Sequence, residues 1–209
     1  MEEHRLPAAQ AVLLGLCAVW AVLSLLNSPV PDLAPLQNLP TILVLGGVAM
    51  ALRRWPLPTS SVACIVGFLA LHTLGGRYAY SYVPYDDWFM ELALPAPSRF
   101  FEFHRNHYDR LVHFSFGALL VLPIASTLER HGKISRRLAV YIAVEFVLAA
   151  SAVYEIFEWA LTMLLAGNDV ETYNGQQGDI WDPQKDMALA GAGAILAAVT
   201  LTLRRLTAR

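Results

Sequence analysis

The amino-acid sequence predicts an all-α membrane protein, a single polytopic bundle of about six transmembrane helices. Hydrophobic residues fill 56% of the 209 positions and charged residues only 15%, and the mean hydropathy is +0.45. In soluble domains, by contrast, roughly a quarter of the residues carry charge. Six apolar runs approach the roughly 20 residues that a helix needs to cross a bilayer. One integral membrane domain is therefore expected over residues 1–209.

The first three runs end at residues that stop or anchor a helix. Residues 8–26 contain no charge and are followed by two prolines. The charges before this run are not net basic and no small-residue cleavage site follows it, so we expect a retained helix rather than a cleaved signal peptide. Residues 36–52 close on two arginines, and residues 57–76 carry His72 near their far end.

The last three runs carry features that are typical of packed membrane helices. Residues 110–128 contain Pro123, which a membrane helix tolerates better than a soluble one. Residues 138–166 form a run long enough to tilt in the bilayer, and this run holds three glutamates. Residues 186–206 are rich in alanine and glycine, which favours close packing against a neighbouring helix.

Lysine and arginine are divided unequally between the two ends of these helices. One set of loops and termini holds ten of them and the other holds five, so the positive-inside rule predicts that both termini are cytoplasmic. Two long loops then face outwards, an aromatic loop at about 77–109 and an acidic loop at about 167–185. Ten of the 22 aromatic residues lie between Tyr78 and Tyr108. We expect that loop to lie at the membrane interface, as an aromatic belt or as a lid over a site.

The composition also narrows the range of partners. Fifteen basic residues against seventeen acidic ones give a net charge of -2, which provides no basic field to attract a phosphate backbone. We therefore expect membrane lipids, and not nucleic acid, as partners. A chain this apolar has too much surface to bury to remain disordered.

Ionisable residues inside the predicted spans mark the candidate site, because such groups are costly in a bilayer. Glu155 and Glu158 lie three residues apart, on one face of the fifth helix. Two carboxylates this close repel each other unless a shared proton, a basic partner or a metal ion compensates. Counting about 1.5 Å per residue places further ionisable side chains at the same level: His72, Asp109, Arg110, His113, Asp179, Asp182 and Asp186.

Four interpretations of this cluster stay open from the residues alone. The carboxylates and imidazoles suit a divalent metal ion that activates water, with a spare carboxylate as general base. The same groups without metal suit a relay of protons or cations in a transporter. Arg110 paired with Glu155 or Glu158 would make a structural salt-bridge network. A binding site for a polar head group is the fourth.

Several members of the cluster also have structural interpretations. Asp182 precedes Pro183, which is an ordinary signal for a helix N-cap. Asp109 is equally suited to capping the fourth helix, whereas Asp186, one turn beyond Asp182, has the stronger claim to a site. His72 suits a hydrogen bond to a neighbouring helix as well as it suits a metal.

Three sequence blocks resemble the uncharacterised bacterial inner-membrane family typified by YjdF. They are His107-Tyr-Asp-Arg-Leu-Val-His-Phe114, Tyr154-Glu-Ile-Phe-Glu-Trp159 and Gly178-Asp-Ile-Trp-Asp-Pro-Gln-Lys-Asp-Met187. A remoter similarity links the first block, the glutamate-bearing helix and the small-residue helix to the VanZ-like membrane proteins. The resemblance implies a multi-pass protein of a bacterial cytoplasmic membrane, and it implies no particular reaction.

These observations lead us to expect a metal-dependent hydrolase that acts on a lipid or envelope precursor at the outer leaflet. The alternative is a non-catalytic envelope factor or a small proton- or ion-coupled carrier. The expected catalytic residues are Glu155, Glu158, His113 and Asp109. The expected ligands of a divalent metal ion are Glu155, Glu158, His113, Asp186 and His72. Substrate would be bound by Arg110, whose guanidinium suits an anionic head group, together with Tyr108 and Trp181.

Overall fold

The computed structural model describes residues 4–164 and 176–207, and these form eight helices and no strand. Six helices are long and apolar enough to cross a membrane, which confirms the predicted all-α polytopic bundle. The helices are α1 (Ala8–Leu25), α2 (Ala34–Arg54), α3 (Thr59–Arg77), α4 (Tyr85–Glu91), α5 (Pro97–Phe100), α6 (Tyr108–Arg130), α7 (Arg136–Leu164) and α8 (Asp182–Thr207). The short helices α4 and α5 belong to the predicted aromatic loop.

The observed helices begin earlier than the apolar runs in four places, among them α6, which begins at Tyr108. Helix α2 starts at Ala34, because Pro35 in its first turn has no amide hydrogen to leave unbonded. Helix α8 starts at Asp182 for the same reason, since Pro183 occupies its first turn. Helix α7 starts at Arg136, so its first turn is polar. The predicted end of the fifth run at residue 166 and residues 167–175 of the predicted acidic loop lie outside the described residues.

The six spans pack as two groups of three that meet through α3 and α6. Helices α1, α2 and α3 contact one another, as do α6, α7 and α8. Each group has its own apolar core, one around Leu14, Leu45 and Val62 and the other around Val121 and Val147. We call the end of the bundle where α6 and α8 begin the site end. The opposite end, which carries Arg53, Arg54, Arg130, Lys133, Arg136 and Arg137, is the basic end.

Helices α6 and α8 approach until their backbones touch. A Cβ atom on Gly117 would overlap the carbonyl oxygen of Ala190, and one on Gly193 would overlap the carbonyl oxygen of Phe114. Only glycine fits at these two positions, which confirms the predicted close packing of the small-residue helix. The close approach brings the acidic start of α8 alongside the first two turns of α6.

The aromatic segment between α3 and α6 folds over the site end of the bundle. Val83 is 1% exposed and packs with Tyr108 and Val112 of α6, surrounded by tyrosine and tryptophan rings. The Asn106 side chain holds the segment in place by donating to the carbonyl oxygen of Val83 at 2.9 Å. Other rings of the segment, such as Phe100, are exposed. The segment is therefore partly a packed cover and partly an exposed aromatic surface.

Candidate functional site

A cavity of about 240 Å³ lies at the site end, between α3, α6, α7 and the start of α8. Its apolar wall is formed by aromatic and aliphatic side chains, Phe68 and Phe116 among them. Its polar wall is formed by ionisable residues that the sequence predicts for the site: His72, Asp109, His113, Glu158 and Asp186. The structure therefore brings side chains from four separate helices together at one depth.

One tight cluster of candidate ligand atoms belongs to His113, Glu155 and Asp186. One atom from each side chain lies within 4.8 Å of the other two, and the His113 Nε2 atom is 3.6 Å from Glu155 Oε1. Ligands bound to one Zn²⁺ or Ca²⁺ at about 2.0 to 2.6 Å are separated by comparable distances. The spacing is therefore right for a single ion.

The two carboxylates of this cluster are buried and incompletely bonded. Glu155 is 6% exposed and Asp186 is 4% exposed, and neither Glu155 Oε1 nor Asp186 Oδ1 has a hydrogen-bond partner among the described residues. A buried carboxylate oxygen without a donor is costly, so proteins pair such groups or place them against a metal ion. Zn²⁺ and Mn²⁺ both bind imidazole nitrogen and carboxylate oxygen. Three protein ligands, one imidazole and two carboxylates, leave a coordination position for water.

A second cluster combines Asp109, Asp182 and Asp186, whose oxygens also lie within 4.8 Å of one another. Arg105 occupies the space between two of them: its guanidinium donates to Asp182 at 2.5 Å and also to Asp109. The side chain of Arg105 is only 8% exposed. Because a cation of the protein itself already compensates Asp109 and Asp182, Asp186 is the member of this cluster that remains available.

Arg110 contacts different carboxylates from those the salt-bridge interpretation named. Its guanidinium lies 2.5 Å from Asp179 and 3.5 Å from Asp182, and so Glu155 and Glu158 are not its partners. The predicted pairing was wrong because Arg110 lies at the start of α6, where its side chain is directed to the loop before α8. Its Nε atom is buried and has no hydrogen-bond partner in the part of the chain that the structure describes.

Two ionisable side chains outside the spans, Asp179 and His107, have pKa values that their charged neighbours shift. Hydrogen bonds from Lys185 and, more weakly, from the Trp181 amide and Arg110 lower the pKa of Asp179 to about 2. Burial, followed by the positive charges of Arg110 and Arg105, lowers the pKa of His107 to about 4. Asp179 is therefore ionised and His107 neutral at physiological pH.

Two predicted metal ligands, Glu158 and His72, line the cavity without belonging to the tight cluster. Glu158 lines the cavity and hydrogen-bonds the Tyr154 side chain. The Nδ1 atom of His72 hydrogen-bonds the Tyr80 hydroxyl, and its ring also hydrogen-bonds the Gln37 backbone. Glu158 and His72 therefore face the same space as the cluster but lie outside the set of atoms within 4.8 Å.

None of the three predicted substrate-binding residues, Arg110, Tyr108 and Trp181, lines the cavity. Tyr108 is 5% exposed and its hydroxyl donates to the Leu71 carbonyl oxygen at 2.9 Å, which ties α6 to α3. Trp181 is 59% exposed just before α8. Sequence reasoning missed Arg105, although its spacing of four residues from Asp109 is a signal for an ion pair.

Comparison with known proteins gives two matches. The family described as "Predicted membrane protein (DUF2238)" matches residues 9–207. The chain is also 30% identical over 163 residues to the inner membrane protein YjdF of Escherichia coli (strain K12), a stretch that covers 78% of this chain and 74% of that protein. No solved structure matches the chain. These matches confirm the resemblance to the YjdF-type family and add no support for the VanZ-like similarity.

Proposed function

The chain belongs to the DUF2238 family of membrane proteins, and from the site that its spans build we propose that it is a metal-dependent hydrolase. Its substrate would be a phosphate-bearing lipid or envelope precursor. We place it in the bacterial inner membrane, where the name of its relative places that protein. The predicted topology puts the site at the outer leaflet, since the basic end is expected to face the cytoplasm.

The observation that carries the proposal is the set of unsatisfied buried oxygens beside His113. Within residues 4–164 and 176–207, Glu155 Oε1 and Asp186 Oδ1 have no hydrogen-bond donor, although the two side chains are almost fully buried. A divalent cation bound by His113, Glu155 and Asp186 would satisfy both oxygens at once. Such an ion lowers the pKa of a bound water to about 7 and so supplies hydroxide for attack on a phosphoester.

Glu158 is the candidate general base. It lies on the same face of α7 as Glu155, one turn further along, and lines the cavity without belonging to the tight ligand cluster. A carboxylate in that position can accept a proton from a metal-bound water. Asp109, which lines the cavity from α6, would then act through Arg105 by holding the cover of the site in place.

Arg110 is the candidate contact for an anionic head group. Its guanidinium is shared between Asp179 and Asp182, and its Nε atom has a hydrogen still to donate. A phosphate that reached Arg110 would compete with Asp179, whose carboxylate belongs to the segment before α8. The planar guanidinium suits two oxygens of one phosphate.

Hydrolysis of lipid phosphates by the purified protein tests this proposal. We expect release of inorganic phosphate from vesicles that contain phosphatidic acid, its loss on treatment with a chelator, and its return with Zn²⁺ or Mn²⁺. Glu155→Gln should reduce the rate by at least about a hundredfold. The matched control is Glu145→Gln, an exposed glutamate on the same helix, which should leave the rate unchanged.

An ion- or proton-coupled carrier is the second candidate. Two carboxylate clusters that share Asp186 favour it, one with Asp182 at the first residue of α8 and the other with Glu155 in the interior of α7. Liposomes that contain the protein would then show a proton or cation flux that Glu155→Gln abolishes, with no hydrolysis. Metal-dependent hydrolysis without such a flux would exclude the carrier.

A further inference from the structure

We propose that an apolar groove along α3 and α6 binds the hydrocarbon chain of the lipid whose head group occupies the cavity. This inference rests on the proposed function, and it names the substrate class as an amphiphile with a phosphate head and at least one long chain. The groove has a volume of about 390 Å³. Helices α2 and α7 form its flanks through residues such as Val48 and Phe146.

The groove and the cavity are continuous. Phe68, His72 and Phe116 line both of them. On the cavity side of these three residues the wall carries carboxylates and imidazoles, whereas on the groove side it is formed almost entirely by aliphatic side chains such as Ile65, Leu120 and Ile124. A ligand that lay across the boundary would need a polar end and an apolar end.

The length of the groove matches one leaflet. Along α6 it extends from Phe116 to Thr127, which is about 16 Å at 1.5 Å per residue. The hydrocarbon core of a bilayer is about 30 Å thick, so this is about half of it. A chain that follows the groove from a head group at the site end would therefore continue past the middle of α6 and end near Leu57 and Thr127, close to the basic end.

The site is also open to the bilayer from the side. Helices α3 and α7 both line the cavity, but they do not contact each other within the described residues. Tyr154 and Phe146 of α7 are partly exposed along this gap. In a membrane that gap faces lipid, so an amphiphile can enter sideways without leaving the bilayer.

Photo-crosslinking with lipids of two chain lengths tests the inference. The probes are lysophosphatidic acids with a diazirine at the chain end, one palmitoyl and one octanoyl, added to the full-length protein in nanodiscs. With the head group held in the cavity, the palmitoyl probe should label residues near Thr127 and Leu57, and the octanoyl probe should label residues near Leu120. Peptide mass spectrometry locates the labels.

A pair of substitutions on α2 provides the matched comparison. Val48→Trp fills the far half of the groove and should reduce palmitoyl labelling by at least about tenfold, because the added ring overlaps the chain, while octanoyl labelling persists. Leu43→Trp, on the lipid-facing side of the same helix at 66% exposure, should change neither. Wild-type label positions test the inference even if Val48→Trp does not fold.

The outcomes separate this inference from the proposed function. Labels that do not move with chain length, or equal effects of the two tryptophan variants, would mean annular lipid only and would overturn the groove assignment. Chain-length-dependent labels without metal-dependent hydrolysis would leave the groove in place and reject the hydrolase. Metal-dependent hydrolysis without labelling of the groove would support the hydrolase and overturn the groove assignment.

Discussion

The two halves of the bundle bury different kinds of polar group. In α1–α3 the buried polar side chains are neutral, and Gln10, Ser24 and Asn38 donate to main-chain carbonyl oxygens at 2.8 to 3.0 Å. In α6–α8 they include the carboxylates of Glu155 and Asp186, each with an oxygen that has no donor.

The difference separates polar groups that hold helices together from groups held ready for a ligand. The first half has unpartnered oxygens too, on Thr41 and Thr73, but a neutral hydroxyl left buried costs far less than an ionised carboxylate. Among the described residues, only the second half buries carboxylate oxygens without a donor, and the proposed cation would relieve that imbalance. We therefore expect the polar groups of the first half to serve stability and those of the second to carry the proposed chemistry.

The largest expected effect comes from removing the charge that links the aromatic segment to the start of α8. Arg105→Gln leaves the buried Asp109 without its ion-pair partner and leaves Asp182 with only Arg110, 3.5 Å away, and should cost about 3 to 5 kcal/mol of stability. Arg77→Gln in the other half removes a guanidinium that donates to the carbonyl oxygens of Ser24 and Leu26 at 2.8 Å. It should cost about 1 to 2 kcal/mol, since those carbonyls lie at an exposed helix end.

Thermal unfolding in detergent measures both variants. Adding Asp182→Asn to Arg105→Gln should recover part of the loss, because one of the two carboxylates that lost Arg105 is then gone. Equal losses for Arg105→Gln and Arg77→Gln would contradict the division between the halves.

The next effect comes from helix packing. Gly117→Ala forces a methyl group into the backbone of α8 and should cost about 1 to 3 kcal/mol. Gly46→Ala in α2 meets no neighbouring atom within 4 Å and should be neutral or stabilising by up to about 1 kcal/mol. The same unfolding assay compares them, and a neutral Gly117→Ala would mean that α6 and α8 are further apart than the structure has them.

A smaller effect is expected from acidification. His107 has its pKa lowered from 6.5 to about 4, so the folded protein binds the proton less well than the unfolded chain, and stability falls as the pH drops from about 6.5 towards 4. Asp179, lowered from 3.8 to about 2, adds a further loss below about pH 3.8.

His107→Gln separates the two steps. It should remove the loss between pH 6.5 and 4 and leave the one below it, whereas His131→Gln, at the basic end, should change neither. Unfolding midpoints measured across this pH range give the answer, and an unchanged slope in His107→Gln would contradict the assignment.

The smallest effect is expected at the edge of the site end. Lys185 lies 2.6 Å from Asp179 but its side chain is 48% exposed, and exposed ion pairs contribute at most about 1 kcal/mol. Lys185→Gln should therefore lower stability by less than that amount, and high salt should erase the difference from wild type. A loss as large as that of Arg105→Gln would show that Lys185 belongs to the buried network.

The fold could be predicted because bilayer crossing depends on run length and hydropathy, which are local properties of the sequence. The level of the site could be predicted as well, since a helix rises by a fixed distance per residue and so relates sequence position to depth. The depth prediction is illustrated by His113, Glu155 and Asp186. Counting residues along the helices places them at one depth, and in the structure their ligand atoms lie within 4.8 Å of one another.

Which of the ionisable side chains at that depth pair with one another could not be predicted. Six or more carboxylates and cations share one depth, and the choice among them depends on how far each helix is rotated, which no local pattern encodes. Arg110 illustrates this, since it pairs with Asp179 rather than with a glutamate of α7. Arg105 was overlooked because it lies in a loop, where depth counting does not apply.

The most direct test of the central claim is elemental analysis of the detergent-purified protein beside the Glu155→Gln, Asp186→Asn double variant. We expect close to one divalent transition-metal ion per wild-type chain, its loss in the folded double variant, and its retention in Glu145→Gln. Absence of metal from wild type even after incubation with Zn²⁺, Mn²⁺ and Mg²⁺, or equal metal in the double variant, would contradict that claim.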